Sequence, residues 1–250
     1  MLFRSIRAKV SPIPVVITAL PSWLKRSAFQ RLAEAADGFV LQVHSLDRPK
    51  SAEQTFELCD PLAARAAVEK AGRIGKPFRV ALPTYGYVAA FDARGAFLGI
   101  QAEGPSSVWP ETAAKREIVA KPDAMAALIR GWTASRPAMM QGVIWYRLPT
   151  AEDRLNWSSP TLAAVMSGRA PESAIRAEVR KPSPGLVEID LVNCGEADGP
   201  APAEVGLSWR GGRLVASDAF RGFEFSIRAD ESANLKQTGA AERLAPSVRR

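Results

Sequence analysis

The sequence predicts an α/β protein whose first 170 residues alternate strands and helices and whose remainder turns to short antiparallel strands. Two observations carry the first part. Four apolar, β-like runs are each joined to a helix with recognisable start and stop signals, and this alternation demands a parallel sheet with helical crossovers. Within the runs, one set of alternate residues is purely apolar and the other is more polar, as in a barrel with a lumen inside and a helix layer outside. The third observation is a break in pattern near residue 170, beyond which Pro/Gly-rich turns separate short alternating runs.

The first strand is Val15-Val16-Ile17-Thr18-Ala19-Leu20, and its helix is expected from Ser22, as N-cap, to Ala36, with Asp37-Gly38 as the stop. Strand two is Phe39-Val-Leu-Gln-Val-His44. The next helix opens on Asp60-Pro61 and closes at Gly72, with Asp60 as the cap and Pro61 at the first helical position. Strand three is Phe78 to Leu82. A helix from Pro122 to Ser135 leads into strand four, Val143 to Leu148, and Ser159-Pro160 to Gly168 supplies the last helix. Parity puts Val15/Ile17, Phe39/Leu41/Val43 and Phe78/Val80/Leu82 under helices. Val16/Thr18, Gln42/His44 and Val143/Trp145/Arg147 then share the opposite face.

Beyond residue 170, strands are expected at 175–181, 186–192, 204–209, 213–217 and 223–228, forming a small β-sandwich over 171–230. The stretch 231–250 is polar and reads as a fraying tail.

The single histidine and all three tyrosines sit at or just past the C-terminal ends of the apolar runs: His44, Tyr85, Tyr87 and Tyr146. In a parallel sheet or barrel those ends share one rim, where binding and catalytic groups collect. The chain therefore advertises a site.

Composition narrows the partners. A net charge of +7 is spread over dispersed Lys and Arg without a basic run or a nucleic-acid motif, which argues against nucleic acid. Charges or prolines interrupt every apolar run, so no membrane span is expected. The N-terminus is basic and amphipathic and lacks the apolar core of a secretory signal; export would need a leader upstream. Cys59 and Cys194, in different expected domains, read as free thiols, and no Cys/His spacing suggests a metal. No cofactor is implied.

Phe78-Arg-Val-Ala-Leu-Pro-Thr-Tyr-Gly86 resembles the seventh-strand segment of chitinase-like glycoside hydrolases, and Gly142-Val-Ile-Trp145 resembles their eighth strand, whose terminal Trp floors the sugar site. Tyr87 to Lys121 falls where that family often inserts a subdomain. Ile17-Thr-Ala-Leu-Pro-Ser-Trp-Leu24, Val40-Leu-Gln-Val-His44 and Val80 to Gly86 resemble, in order, a bacterial family of barrel proteins known as domain of unknown function 3142. The resemblance covers about residues 1–170. It implies that residues 1–170 are the C-terminal half, about four βα units, of a TIM-type (β/α)8 barrel. Met1 to Val10 would then be the tail of the fourth helix, and the family's acidic cluster would lie before Met1. Gln42-Val-His44 stands where the chitinases have Met-x-Tyr followed by an acid.

The expected ligand residues are Gln42, His44, Tyr85, Trp145 and Arg147. Trp145 either stacks on a pyranose ring or plugs the barrel. Tyr85 bonds a ligand or a neighbouring loop. His44 is an acid–base group or a satisfied rim residue, Gln42 a lumen hydrogen-bonder, and Arg147 a clamp or half of an internal ion pair. No catalytic residue is assigned: Asp47, Asp60 and Asp92 lie in loops or caps. The expected function is carbohydrate-related binding at the rim, with an oligosaccharide as ligand and the catalytic carboxylates absent from this chain. The alternative is a non-catalytic binding or scaffolding protein. Uncovered barrel edges would favour self-association.

Overall fold

A computed structural model describes residues 2–44, 49–103, 109–150, 152–238 and 243–247. It is mixed α/β, with more strands than helices among the described residues, and divides into two units, Met1–Pro171 and Glu172–Arg250.

The first unit runs α1 (Leu2–Val10), β1 (Val16–Ala19), α2 (Ser27–Ala35), β2 (Gly38–Gln42), α3 (Pro61–Gly72) and β3 (Phe78–Pro83). It continues with β4 (Gly86–Phe91), β5 (Phe97–Gln101), β6 (Ala114–Val119), α4 (Pro122–Ala134), β7 (Met140–Tyr146) and α5 (Ser159–Met166). Its main sheet is four-stranded and wholly parallel, in the order β1-β2-β3-β7. The strands follow one another in chain order without a reversal, so the sheet has no switch point of the doubly wound kind.

Local chemistry explains two of the helix starts. Asp60 caps α3 by accepting from the Leu62 and Ala63 amides at 2.8 and 3.2 Å, with Pro61 in the first turn. In α5 the cap is Ser158, one residue earlier than the expected Ser159, and its hydroxyl accepts from Thr161. The expected helix from Ser22 to Ala36 is broken. Pro21–Trp23 forms a short 3-10 turn, Arg26 is extended (φ −90°, ψ 129°), and α2 begins at Ser27. The interruption seats Leu24 in the core, while Lys25 and Arg26 stay in water.

The core lies between the helices and one face of the sheet. Phe29 and Ala33 of α2, Ala64 and Val68 of α3, Met125 and Leu128 of α4, and Leu162 and Val165 of α5 pack with Ile17, Ala19, Phe39, Leu41, Phe78, Val80 and Leu82. Phe39 stacks on Phe78 at 5.2 Å and meets the edge of Phe29 at 5.5 Å. Each such side chain contributes roughly 1.5–3 kcal/mol through burial.

Register fixes which residues share the other face. Val80 pairs with Val143 and Leu82 with Trp145, so Val143 and Trp145 lie on the helix side. The opposite face carries Val16 and Thr18, Val40 and Gln42, Arg79 and Ala81, then Ile144 and Tyr146. This corrects the expected grouping of Val143, Trp145 and Arg147 with Gln42. The cause is an irregularity at the start of the β3–β7 pairing: Phe78 opposes Met140, but Arg79 opposes Gly142. Gln141 is an extra residue. One inserted residue shifts the alternation, so every later side chain changes face.

Between β3 and α4 the expected insertion is an antiparallel sheet of order β5-β4-β6. Gly86 is required where it begins: a Cβ there would meet Val119 Cγ1 at 2.5 Å and the Ile118 carbonyl at 2.8 Å.

The second unit is antiparallel. β8 (Ile175–Ser183) and β9 (Leu186–Asn193) form a hairpin, and β10 (Gly199–Pro200) pairs with β14 (Arg243–Leu244). β11 (Glu204–Ser208), β12 (Phe223–Ala229) and β13 (Ser232–Gln237) make a sheet with β13 in the centre. Two expectations change here. Residues 213–217 form no strand, and the stretch expected to fray supplies the central strand. Asn193 organises this unit. Its Nδ2 donates to the carbonyls of Ala197 and Leu244, both at 2.8 Å, and its Oδ1 accepts from the Ala174 and Gly195 amides. The Ser247 amide and hydroxyl both donate to its carbonyl, so the C-terminal segment is tied down.

Candidate functional site

The C-terminal ends of β2, β3 and β7 bring three rings together. His44 lies 5.7 Å from Tyr85 and 5.9 Å from Tyr146, and Tyr85 lies 5.7 Å from Tyr146. All three pairs are edge-to-face, with interplanar angles of 82°, 66° and 85°, an arrangement favoured by the ring quadrupoles.

Backbone bonds beyond the strand ends hold the rings in place. The Val43 amide reaches the Ala81 carbonyl at 3.4 Å, which extends β2 toward His44. Thr84, wholly buried, links β3 to β7: its amide donates to the Tyr146 carbonyl at 2.9 Å and its hydroxyl to that of Arg147. The Trp157 amide donates to the Thr84 carbonyl at 2.9 Å, and the Ala120 amide to that of Tyr85 at 3.0 Å. The Trp157 indole then donates to the Ala120 carbonyl at 2.8 Å. Tyr85 is therefore fixed from three segments of chain. Below His44, the Cys59 thiol contacts the Val43 carbonyl at 3.8 Å. Burial, with Asp60 and Glu57 nearby, pushes that thiol up to about 12, so it packs and does not react.

His44 is buried, and its Nδ1 has no hydrogen-bond partner among the described residues. Burial lowers its pKa to about 4, so the imidazole is neutral at pH 7. Tyr85, half-buried, is raised above the usual phenol range by burial and then by Tyr146. Tyr146 is 56% exposed and supplies the open aromatic surface of the cluster. By register it shares a face with Gln42, which is half-buried on β2.

Of the expected residues, His44 and Tyr85 meet, Gln42 lies on the strand face of Tyr146, and two stand elsewhere. Trp145 packs against the core beside Trp157, at 6.1 Å between ring centres. Arg147 pairs with Asp153, so its expected internal ion pair is made within its own loop and not with another strand. The Asp153 side chain is 6% exposed and accepts from the Thr150 amide at 2.8 Å and from Asn156 at 3.0 Å. Burial raises its pKa, but the bonds from Asn156 and Thr150 and the charge of Arg147 outweigh this and hold the carboxyl below the usual carboxylate range. Asp60 and Asp92 are turn and cap residues, as expected, and Asp47 lies outside the described residues.

Tyr146 stands at a strand end in the sequence but is not among the expected ligand residues, which include its neighbours Trp145 and Arg147. The sequence signal that would have found it is Gly142, a weak strand residue that often marks a bulge. Thr84 and Asp153 carried no distinguishing signal. Among the described residues no group of three or more His, Cys, Asp or Glu is placed to hold a metal ion. Among the described residues no helix is long and apolar enough to cross a membrane.

The chemistry on offer is limited and specific. A neutral imidazole nitrogen and phenol hydroxyls can exchange hydrogen bonds with an uncharged polar group, and Tyr146 offers an apolar face beside them.

No curated protein sequence matches the chain. Among solved structures, a chitinase from Chromobacterium violaceum ATCC 12472 is similar with a TM-score of 0.42 and 12% identity, over 67% of this chain and 58% of that one. A chitinase from Bacillus thuringiensis is similar with a TM-score of 0.40 and 9% identity, over 94% of this chain and 46% of that one. The chain spans about half the length of the solved chains it matches. The family model described as "Domain of unknown function (DUF3142)" matches residues 1–151, which include every ring of the cluster. The chain belongs to the DUF3142 family.

Proposed function

We propose that the rim built from His44, Tyr85 and Tyr146, with Gln42 on the same strand face, binds a neutral, hydroxyl-rich ligand of the oligosaccharide class. The observation that carries this reading is the mutual edge-to-face packing of two tyrosine rings and a buried imidazole whose Nδ1 is unpartnered among the described residues. A buried polar atom gains by acquiring a hydrogen bond, and a sugar hydroxyl can provide it once the rings that cover Nδ1 move aside. The apolar face of a pyranose complements the exposed Tyr146 ring. Because His44 is neutral at pH 7, the rim offers little attraction to a charged ligand through that residue.

The same reading takes the four parallel strands as half of a TIM-type barrel. Strand order without reversal and helices confined to one face support it, since both are properties of a singly wound barrel wall. The second unit is read as a sandwich-like module.

Binding, and not hydrolysis by this rim, is the proposal. Glycoside hydrolysis ordinarily needs a protonated acid and a second carboxylate. Asp153 is held ionised in an ion pair, His44 is unprotonated, and Tyr85 is a weaker acid than free phenol.

Calorimetric titration with chito-, gluco- and galacto-oligosaccharides tests the reading. The wild-type chain binds one class saturably, and Tyr146→Ala weakens that binding by about 1–3 kcal/mol, the scale of a lost aromatic contact. Equal affinity in wild type and Tyr146→Ala would remove the rim from the site.

A further inference from the structure

Tyr146 ends β7, and the segment from Arg147 to Ser158 carries the chain on to α5. This segment folds back on its own start. Asp153 pairs with Arg147, and the Asn156 side-chain amide donates to the Arg147 carbonyl at 3.4 Å and to Asp153 at 3.0 Å. Between those two residues the backbone turns to the insertion. The Arg154 amide donates to Glu103 Oε1 at 2.9 Å, and the Leu155 amide donates to the same oxygen. Glu103 is half-buried and lies just past the end of β5. Hydrogen bonds to a carboxylate are roughly twice as strong as neutral ones. The insertion is itself braced from the side of β2. The Ala52 amide donates to the Gly95 carbonyl at 3.1 Å. Arg116 of β6, over the Phe91 ring at 5.4 Å, donates to the Ala52 carbonyl at 2.7 Å. Glu103 therefore hangs from a held sheet.

We infer that Glu103 is a positioning residue of the rim: it anchors the segment that holds Arg147, and through Arg147 it sets where the Tyr146 ring stands against His44. The relay is short. Glu103 grips the backbone at Arg154 and Leu155, the flanking Asp153 and Asn156 hold Arg147, and Arg147 follows Tyr146 directly. Thr84 fixes the carbonyls of Tyr146 and Arg147 from β3, while the side-chain partners of Arg147 depend on the loop. Without the Glu103 carboxylate, two backbone amides must turn to water, and Asp153 and Asn156 are free to shift with them. A binding surface needs its side chains held to a fraction of an ångström by residues behind them, and Glu103 supplies that support from a separate sheet. The effect on affinity rests on the rim being the ligand surface, whereas the effect on ring geometry needs no ligand.

Proton resonances of the His44 ring, the single histidine, read the placement in the free chain, because the Tyr146 ring 5.9 Å away shifts them. Glu103→Gln keeps an acceptor oxygen and gives wild-type His44 signals. Glu103→Ala removes it, moves the His44 signals toward those of Tyr146→Ala and speeds amide exchange at Arg154 and Leu155. Oligosaccharide then binds Glu103→Ala about three- to tenfold more weakly than wild type, and Glu103→Gln restores the affinity. Asn193→Ala, which loosens the second unit, controls for lost stability and leaves the His44 signals in place. Unmoved His44 signals in Glu103→Ala, with faster exchange at Arg154 and Leu155, would overturn the inference and reduce Glu103 to a loop anchor. Signals moved as far by Glu103→Gln or by Asn193→Ala would also overturn it. Moved signals in a chain that binds no oligosaccharide would uphold the positioning role and refute the ligand reading. Should Glu103→Ala misfold, Glu103→Asp, one methylene shorter, takes its place. It moves the His44 signals in the direction of Tyr146→Ala under the inference, and unmoved signals refute it.

Discussion

Leu82 of β3 stands in register with Trp145 of β7, and this pairing turns the Trp145 ring toward Trp157 and the helices, away from the face of Gln42 and Tyr146. Two adjacent aromatics on one strand therefore have separate roles. One packs, and the other faces the rim.

Substitution separates these roles. Trp145→Ala should lower stability by about 2–4 kcal/mol, near the lower end for loss of a large buried ring because Trp145 is only partly buried. Oligosaccharide affinity per folded molecule should stay at the wild-type value. Denaturant unfolding combined with titration of the folded fraction reads both quantities. Lost affinity at unchanged stability would exchange the roles of Trp145 and Tyr146.

Most of the fold was legible because its signals are local. Asp60-Pro61 marks a helix start by side-chain chemistry alone, and the β-branched and apolar runs mark the strands. Which side of the sheet a residue faces was not local. The phase of β7 depends on Gln141 being an extra residue against β3, and that is a property of the pair of strands. The rim could be anticipated for His44 and Tyr85 because strand ends converge in any parallel sheet. Arg147 could not be placed, since Asp153 meets it only through the fold of the following loop. Strand β13 was missed because Asn234 and its polar neighbours look like a tail. Asn234, buried on the central strand, donates to Glu204 across the pair, and that stabilisation has no trace in composition.

The His44 environment makes stability depend on pH. Its pKa is about 4 in the folded chain against the ordinary imidazole value of 6.5, so the unfolded chain binds the proton more readily. Stability from this group is full above pH 6.5 and is lost progressively as pH falls toward about 4, up to about 3 kcal/mol in all. Urea unfolding between those limits should show the slope in wild type and a shallower one in His44→Gln. Identical slopes would mean that His44 is solvated.

Asn193 should matter far from the rim. Asn193→Ala removes four hydrogen bonds and strands the Leu244 and Ala197 carbonyls and the Ala174 and Gly195 amides. A loss of about 2–4 kcal/mol follows from leaving several buried groups unpaired. Hydrogen exchange should show faster opening of β9 and of the segment around Ser247, with the parallel sheet unaffected. Uniform loosening of both units would contradict this assignment.

No turnover is expected at this rim near neutral pH. Chromogenic chito-, gluco- and galacto-oligosaccharides incubated with the purified chain should release no more product than with His44→Ala. A positioned acid contributes about 10²–10⁴-fold, and at pH 7 neither His44 nor Asp153 holds a proton to give. Activity above the variant would show that proton donation occurs here.

The central claim is that a neutral His44 and two tyrosines form the ligand surface, and the single histidine of the chain makes it directly observable. Imidazole nitrogen and carbon resonances recorded at pH 7 while oligosaccharide is added report on that one ring without ambiguity. The account predicts a neutral-imidazole spectrum whose His44 signals shift saturably with ligand, with the shift abolished in Tyr146→Ala and kept in Trp145→Ala. His44 signals that stay fixed while ligand binds, or that follow Trp145→Ala and not Tyr146→Ala, would contradict it.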